Sequence, residues 1–445
     1  MDLDTIRQRV EAFCQSLYHA MHRCHIGKSS QLPLQQLFAD AAIFDKQTVA
    51  ILREALLTAS PAERGPLQRL FHFVAEGALR RALLPFDQTI AQHYDQLPFP
   101  GTWAEHDAIF VLHLAENRLP PEAVAALLPL HQQRWDALLQ EMRDLGFVDI
   151  SAYWQQTLGI DLADLVTRAE HHLAQTHAEY LHGLRSLGEF SSRQQLEQAL
   201  RLDQFGLLFP EAELVPMMED TLYHLGVDIT RQPNLVLEVN RELPTGSTMA
   251  FPVRVPEEIY VVVAPSGGVD AYTQALHVTG MILPRLLISP EAPWVQRRLL
   301  DHSIQQAHGA LLAGLLQNAA WLSDLLGFPE EELPRFSRLV GLRRLYCLRR
   351  AAARLIFAMD YSLGQADYVD TFTQALGVPH QPADLALDMG SLRRSLQTWQ
   401  GLQAGFRLEE SILQRFGPAW YRDPAATQLL HHLWSCGKCG LGDER

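Results

Sequence analysis

The segment His277-Val278-Thr279-Gly280-Met281 sets a histidine and a methionine four residues apart, a spacing that puts both on one face of an α-helix. Zinc-dependent hydrolysis uses this spacing in the form His-Glu-x-x-His. Two imidazoles hold the metal, and the Glu takes a proton from the attacking water. Here the first ligand position is His277, the base position is Val278 and the second ligand position is Met281. Valine accepts no proton. A full ligand set gives a structural zinc site about 10–16 kcal/mol, which one imidazole does not supply. The competing reading makes residues 275–287 an ordinary helix with His277 as a satisfied core or cleft histidine.

The elements that must position this segment are legible in the pattern. Residues 258–263 are a β-branched run, followed by the turn Pro265-Ser266-Gly267-Gly268 and a helical period from Asp270. Residues 234–240 and 250–255 have the same strand character, so a small sheet of three strands is expected over 234–268. Residues 1–233 repeat apolar side chains at helical spacing, as in Leu67, Leu70, Phe71 and Val74, with breaks expected at Pro61, Pro85, Pro98 to Gly101 and Pro120-Pro121. Helical periodicity returns after Asp270 and runs to the end, interrupted near Pro290 to Pro293, Gly327-Phe328-Pro329, Gly377 to Pro382 and Gly417-Pro418. The architecture read from this is mainly α with one β insert.

In this context the chain resembles the thimet oligopeptidase and oligoendopeptidase F group of zinc metallopeptidases, in particular their shorter bacterial relatives. The resemblance rests on Gly267-Gly268, Tyr272, Leu276-His277 and Gly280, which match a Gly-Gly-x-x-x-Tyr approach to a Leu-His-Glu-x-Gly-His helix. It continues in Leu316-Gln317-Asn318-Ala319-Ala320-Trp321-Leu322, in Phe416-Gly417 with Trp420-Tyr421, and in Leu433-Trp434-Ser435. It implies a two-lobed helical oligopeptidase-like (gluzincin) fold with a central cleft, an N-terminal helical lobe over 1–206 and a peptidase-like lobe over 207–445, whose active-site helix covers about 270–287. It also implies that the third zinc ligand, a Glu in the family, is replaced by Gln306, and that the transition-state tyrosine is replaced by Ser395. Gly267, Gly268 and Tyr272 would line the peptide-binding cleft. An abandoned site follows: Val278 and Met281 pack as hydrophobes where an unpaired Glu would be costly, and Gln306 keeps hydrogen-bonding capacity without the charge.

Other groups of ligand-type residues compete. His431, His432, Cys436 and Cys439 contain a Cys-x-x-Cys that could hold zinc or act in redox chemistry, against the plainer reading of a frayed, solvent-facing tail. Cys14, His19, His22, Cys24 and His25 fall within twelve positions on an amphipathic helix, which points to a surface or groove role without metal. His171-His172 with His177 carries the same weak signal. No Gly-x-Gly-x-x-Gly follows a strand, and there is no Walker loop and no Gly-x-Ser-x-Gly elbow. Ser266-Gly267-Gly268 alone is a poor phosphate turn.

Composition narrows the partners. With 37 Lys+Arg and 51 Asp+Glu the formal charge is −14, which disfavours nucleic acid and anionic membranes. Five Cys in 445 residues make no disulfide scaffold. The most apolar windows, 259–265 and 310–316, are far shorter than the roughly 20 residues of a spanning helix. The acidic start lacks the basic head of an export signal, so a cytoplasmic location is expected. The function expected is that of a pseudopeptidase with no metal cofactor, binding peptide or protein in its cleft, in one version by pairing an extended chain with the strand 258–263. The alternatives are a working zinc oligopeptidase whose ligands lie in another register, and an interaction protein whose cleft is filled by side chains.

Overall fold

The structure is a computed structural model that describes residues 2–29, 32–95, 121–243, 248–389 and 395–438. Nine helices are described before the sheet: α1 (Leu3–His25), α2 (Leu34–Asp40), α3 (Lys46–Thr58), α4 (Pro61–Asp95), α5 (Pro121–Asp144), α6 (Ile150–Leu158), α7 (Leu162–Leu187), α8 (Arg193–Ala199) and α9 (Leu214–His224). After it come α10 (Val269–Leu286), α11 (Trp294–Arg298), α12 (His302–Ala313), α13 (Ala319–Leu326), α14 (Leu333–Ser362), α15 (Tyr368–Leu376), α16 (Leu385–Met389), α17 (Ser395–Phe416) and α18 (Pro424–Cys436). Their ends follow local chemistry. Asp2, Asp45, Asp149, Asp161, Ser192, Asp301, Asn318, Asp367 and Asp423 each cap a helix start by accepting from its first-turn N–H groups. Gly327 and Gly377 close α13 and α15 in the left-handed conformation.

Pro85 does not break its helix. It lies inside α4, which also contains Pro66. An interior proline costs about 3 kcal/mol, and here buried Leu79, Leu83, Leu84 and Ile90 on either side of Pro85 offset that cost. Pro61 and Pro121 begin helices, as residues without a useful N–H can. The break expected at Pro98 to Gly101 lies outside the described residues.

The sheet has the order β1 (Leu235–Val239), β3 (Glu258–Val263), β2 (Met249–Arg254). β1 runs parallel to β3, with Leu235 opposite Ile259 and Val239 opposite Val263, and β2 runs antiparallel, with Phe251 opposite Tyr260. β3 is therefore central and hydrogen-bonded on both sides. This corrects the expectation that 258–263 could accept an added strand: only β1 and β2 are edges.

Two buried cores are organised around the same long helices. The first joins α1–α8 to Tyr346, Leu355 and Phe372 and to Leu396, Trp399 and Leu402 of α17. The second gathers α9, β3, α10, α13 and α18, with Leu408 and Ile412 at the other end of α17. α12 serves both, through Ala310 in the first and Leu311 and Leu312 in the second. A helix enclosed on all sides must be apolar or small all round, which explains the Ala-Gly-Leu composition of its second half.

Candidate functional site

α10 begins at the Gly267-Gly268 turn. Gly268 has φ +98°, a conformation that side chains resist, and its N–H donates to Phe209 O at 2.8 Å. A Cβ on Gly267 would stand 3.1 Å from the same carbonyl. Tyr272 is buried, stacks edge-on against Phe209 and donates its hydroxyl to Pro210 O at 2.8 Å. These three residues, expected to line a peptide cleft, pin the start of α10 to the 209–210 segment, and the Tyr272 hydroxyl hydrogen is already spent there. Asp270 adds an ion pair with Arg343 at 2.6 Å.

Along α10, His277 and Met281 turn toward Gly309 of α12. A Cβ on Gly309 would stand 2.6 Å from His277 Cε1 and 2.9 Å from Met281 Cγ. The helices touch backbone to backbone here, since a Cβ on Gly280 would stand 2.9 Å from Gly309 Cα. Gln306 lies on α12 three residues before Gly309, with its Cβ toward α17. The structure thus brings His277 and Met281 to the crossing of α10 and α12. Val278, the next residue along α10, is half-buried.

Gln306 is wholly buried and donates through Nε2 to His302 Nε2 at 3.1 Å, while its Oε1 has no hydrogen-bond partner. On its other side α12 meets α17, where a Cβ on Gly401 would stand 2.5 Å from Gln306 Cβ and one on Gly405 would stand 2.5 Å from Ala307 O. Ser395, buried, is the first residue of α17, at the end where Gln397 reaches Asp301 at 3.4 Å. His277 is 1% exposed and Gln306 0%. The expected cleft floor is packed interior at these two positions.

These residues do not fit zinc. The crossing offers one imidazole and a thioether, and the Gln306 position offers an amide oxygen, a poor match to the His, carboxylate and thiolate set that zinc takes. Among the described residues no group of three or more His, Cys, Asp or Glu side chains converges as a metal would need.

Of the competing clusters, the described members are placed as follows. Cys439 lies outside the described residues. His431 Nε2 donates to Leu225 O at 2.8 Å, and His432 Nδ1 stands 4.0 Å from Cys436 Sγ. His22 is buried, with Nε2 2.6 Å from Glu238 Oε2 and its ring stacked on Tyr260 at 4.1 Å, so it joins α1 to the sheet. His172 packs edge-on against Trp399, while His171 and His177 are exposed.

Sequence reasoning missed His308. It donates from Nε2 to Lys438 O at 2.8 Å and accepts at Nδ1 from Trp434 Nε1 at 3.1 Å, which fixes a neutral tautomer. Burial pushes its pKa down to about 4. It also missed the glycines of the two helix crossings, although Gly401-x-x-x-Gly405 is a readable small-residue spacing. A surface depression of about 380 Å³ lies elsewhere, lined by Leu181, Leu184, Phe190, Gly377 and Val378.

No protein-family profile and no curated protein matches the sequence. Solved structures do match. The metallocarboxypeptidase 1 of Trypanosoma cruzi is similar over 99% of this chain and 93% of its own, with TM-score 0.57 and 12% identity. An M32 carboxypeptidase from Deinococcus radiodurans R1 is similar over 98% and 88%, with TM-score 0.52 and 13% identity, and a carboxypeptidase of Pyrococcus furiosus over 99% and 94%, with TM-score 0.52 and 10% identity. At such identities the likeness is one of fold: mainly helical, with one small sheet, as in the gluzincin-like metallopeptidases.

Proposed function

We propose that this chain is a catalytically inactive relative of the helical zinc peptidases, within the lineage that the resemblance to oligoendopeptidase F suggests, and that it acts by binding peptide or protein. The observation that carries the reading is the packing of His277 and Met281 on Gly309, one turn from Gln306. In the oligopeptidase register the ligand positions are His277, Met281 and Gln306, with Val278 where a base would stand, and Met and Gln are poor ligands for zinc. A peptide would add to an edge strand of the sheet. β1 is the better candidate, because Val236 and Val239 are 43% and 47% exposed on it.

A second reading is favoured by the burial of His277, Gln306 and Ser395: the former site is filled and the protein works through its outer surface alone. Elemental analysis of the purified chain, with hydrolysis assays on blocked oligopeptides and on peptides with free C-termini, tests the inactive assignment. Substoichiometric zinc and no chelator-sensitive turnover are expected. One zinc per chain with turnover stopped by chelator would overturn it. Saturable binding of extended peptides, lost in Val236→Lys, separates the first reading from the second.

A further inference from the structure

One turn beyond Met281 on α10 stands Arg285, 7% exposed. Its Nε and Nη1 are buried without a hydrogen-bond partner, and no ion pair to it is found among the described residues. Arg298 of α11 is 4% exposed, donates through Nη1 to Pro252 O at 3.1 Å, and leaves Nη2 buried without a partner. Both guanidiniums lie close enough to the buried thiol of Cys14 on α1 to act on it electrostatically. One carboxylate faces them: Glu11 Oε2 is 3.4 Å from Arg298 Nε. That carboxylate is shared, accepting from Trp294 Nε1 at 2.9 Å and from Gln15 Nε2 at 2.8 Å.

Two buried cations against one shared anion leave a positive charge without compensation. Such a charge in an interior is strongly unfavourable unless an anion joins it. The net charge of the chain is −14, so a local excess of buried positive charge is not a consequence of composition. Guanidinium forks with free N–H groups match planar or tetrahedral oxyanions. We propose that Arg285 and Arg298 form the floor of a binding site for a small oxyanion, a phosphate or carboxylate group, at the junction of α1, α10 and α11. Glu11 and Trp294, both partly exposed, mark the side from which the ligand enters, and the ring of Tyr18, 6.0 Å from Arg298 Cζ, bounds it. The inference stands apart from the reading of the zinc positions, because neither arginine belongs to them.

The test uses the full chain dialysed into chloride buffer. Thermal unfolding is followed with inorganic phosphate or with succinate, each against sodium chloride at equal ionic strength. A saturable rise in Tm of about 3 °C or more with either anion is expected. A rise with phosphate alone identifies a phosphoryl source, and a rise with succinate alone identifies a carboxylate. No rise with either overturns the proposal. Arg285→Met should lose the response while melting in chloride at or above the parent, since it removes an unpaired charge, and Arg407→Met, on the exposed face of α17, should keep it. An Arg285→Met chain that retains the full response overturns the location. Should that variant fail to fold, calorimetric titration of the parent with phosphate and with succinate decides: about one site per chain supports the proposal, and no saturable heat with either overturns it.

Discussion

Gly280 of α10 and Gly309 of α12 meet so closely that a Cβ on the first would stand 2.9 Å from the Cα of the second. This contact sets the spacing of the candidate site, because His277 and Met281 lie over Gly309 on one side of it.

Gly280→Ala should therefore be severe. The new methyl group would run into the His308 carbonyl and the Gly309 backbone, neither of which can rotate away. A loss of about 3 kcal/mol or more is expected, read as a lowered denaturation midpoint. Gly65→Ala, inside α4 where nothing lies within 4 Å, should instead stabilise by up to about 1 kcal/mol.

In the register of the proposed function, restoring Val278→Glu, Met281→His and Gln306→Glu together should recover zinc binding, with His277 as the remaining ligand. Without metal the triple variant should be less stable than the parent, since it puts a carboxylate at the wholly buried Gln306 position, and it should gain Tm as zinc is titrated. Turnover should stay low by about 10²–10³-fold, since Ser395 offers no tyrosine hydroxyl to a developing oxyanion. A folded variant whose Tm ignores zinc would show that the three positions do not converge.

Glu197, wholly buried on α8, should be among the most sensitive acidic positions. It accepts from Arg193 Nε at 2.9 Å and from Tyr346 Oη, and pairs with Arg350 at 3.3 Å. Arg350 and Arg354 also hold Asp388 of α16. Glu197→Gln leaves buried guanidiniums short of charge, and a loss of about 3–5 kcal/mol is expected in chemical unfolding.

Stability should fall in acid in two stages. Burial pushes His131, His172 and His308 each down to about 4 from an ordinary 6.5, so they fold neutral while the unfolded chain takes up protons. Their contribution is complete above about 6.5 and is lost as the pH falls toward 4, a drop of about 5–10 °C in Tm. Burial would raise the pKa of Glu197, but Arg193, Arg350 and Tyr346 outweigh it and hold the carboxyl at about 2. Its contribution is present above about 4.5 and lost between there and 2. A Tm flat from pH 7 to pH 4 would contradict the first stage.

The mainly helical class, the three strands within a residue of their bounds, and helix ends at Leu326, Leu376 and Phe416 followed by glycine were legible along the chain, because periodicity and turn chemistry are local. Strand order was not legible: whether β3 is an edge or the centre depends on how β1 crosses over, and the β-branched run reads the same either way. Pro85 inside α4 was not legible either, since a cost of local geometry was met by side chains that pack from elsewhere. The burial of Gln306 and the convergence of Arg285, Arg298, Cys14 and Glu11 belong to residues far apart in the chain. Only the packing of α12 between α10 and α17, and of α1 and α10 against β2, decides what those side chains face, because burial and charge compensation are set by neighbours in space.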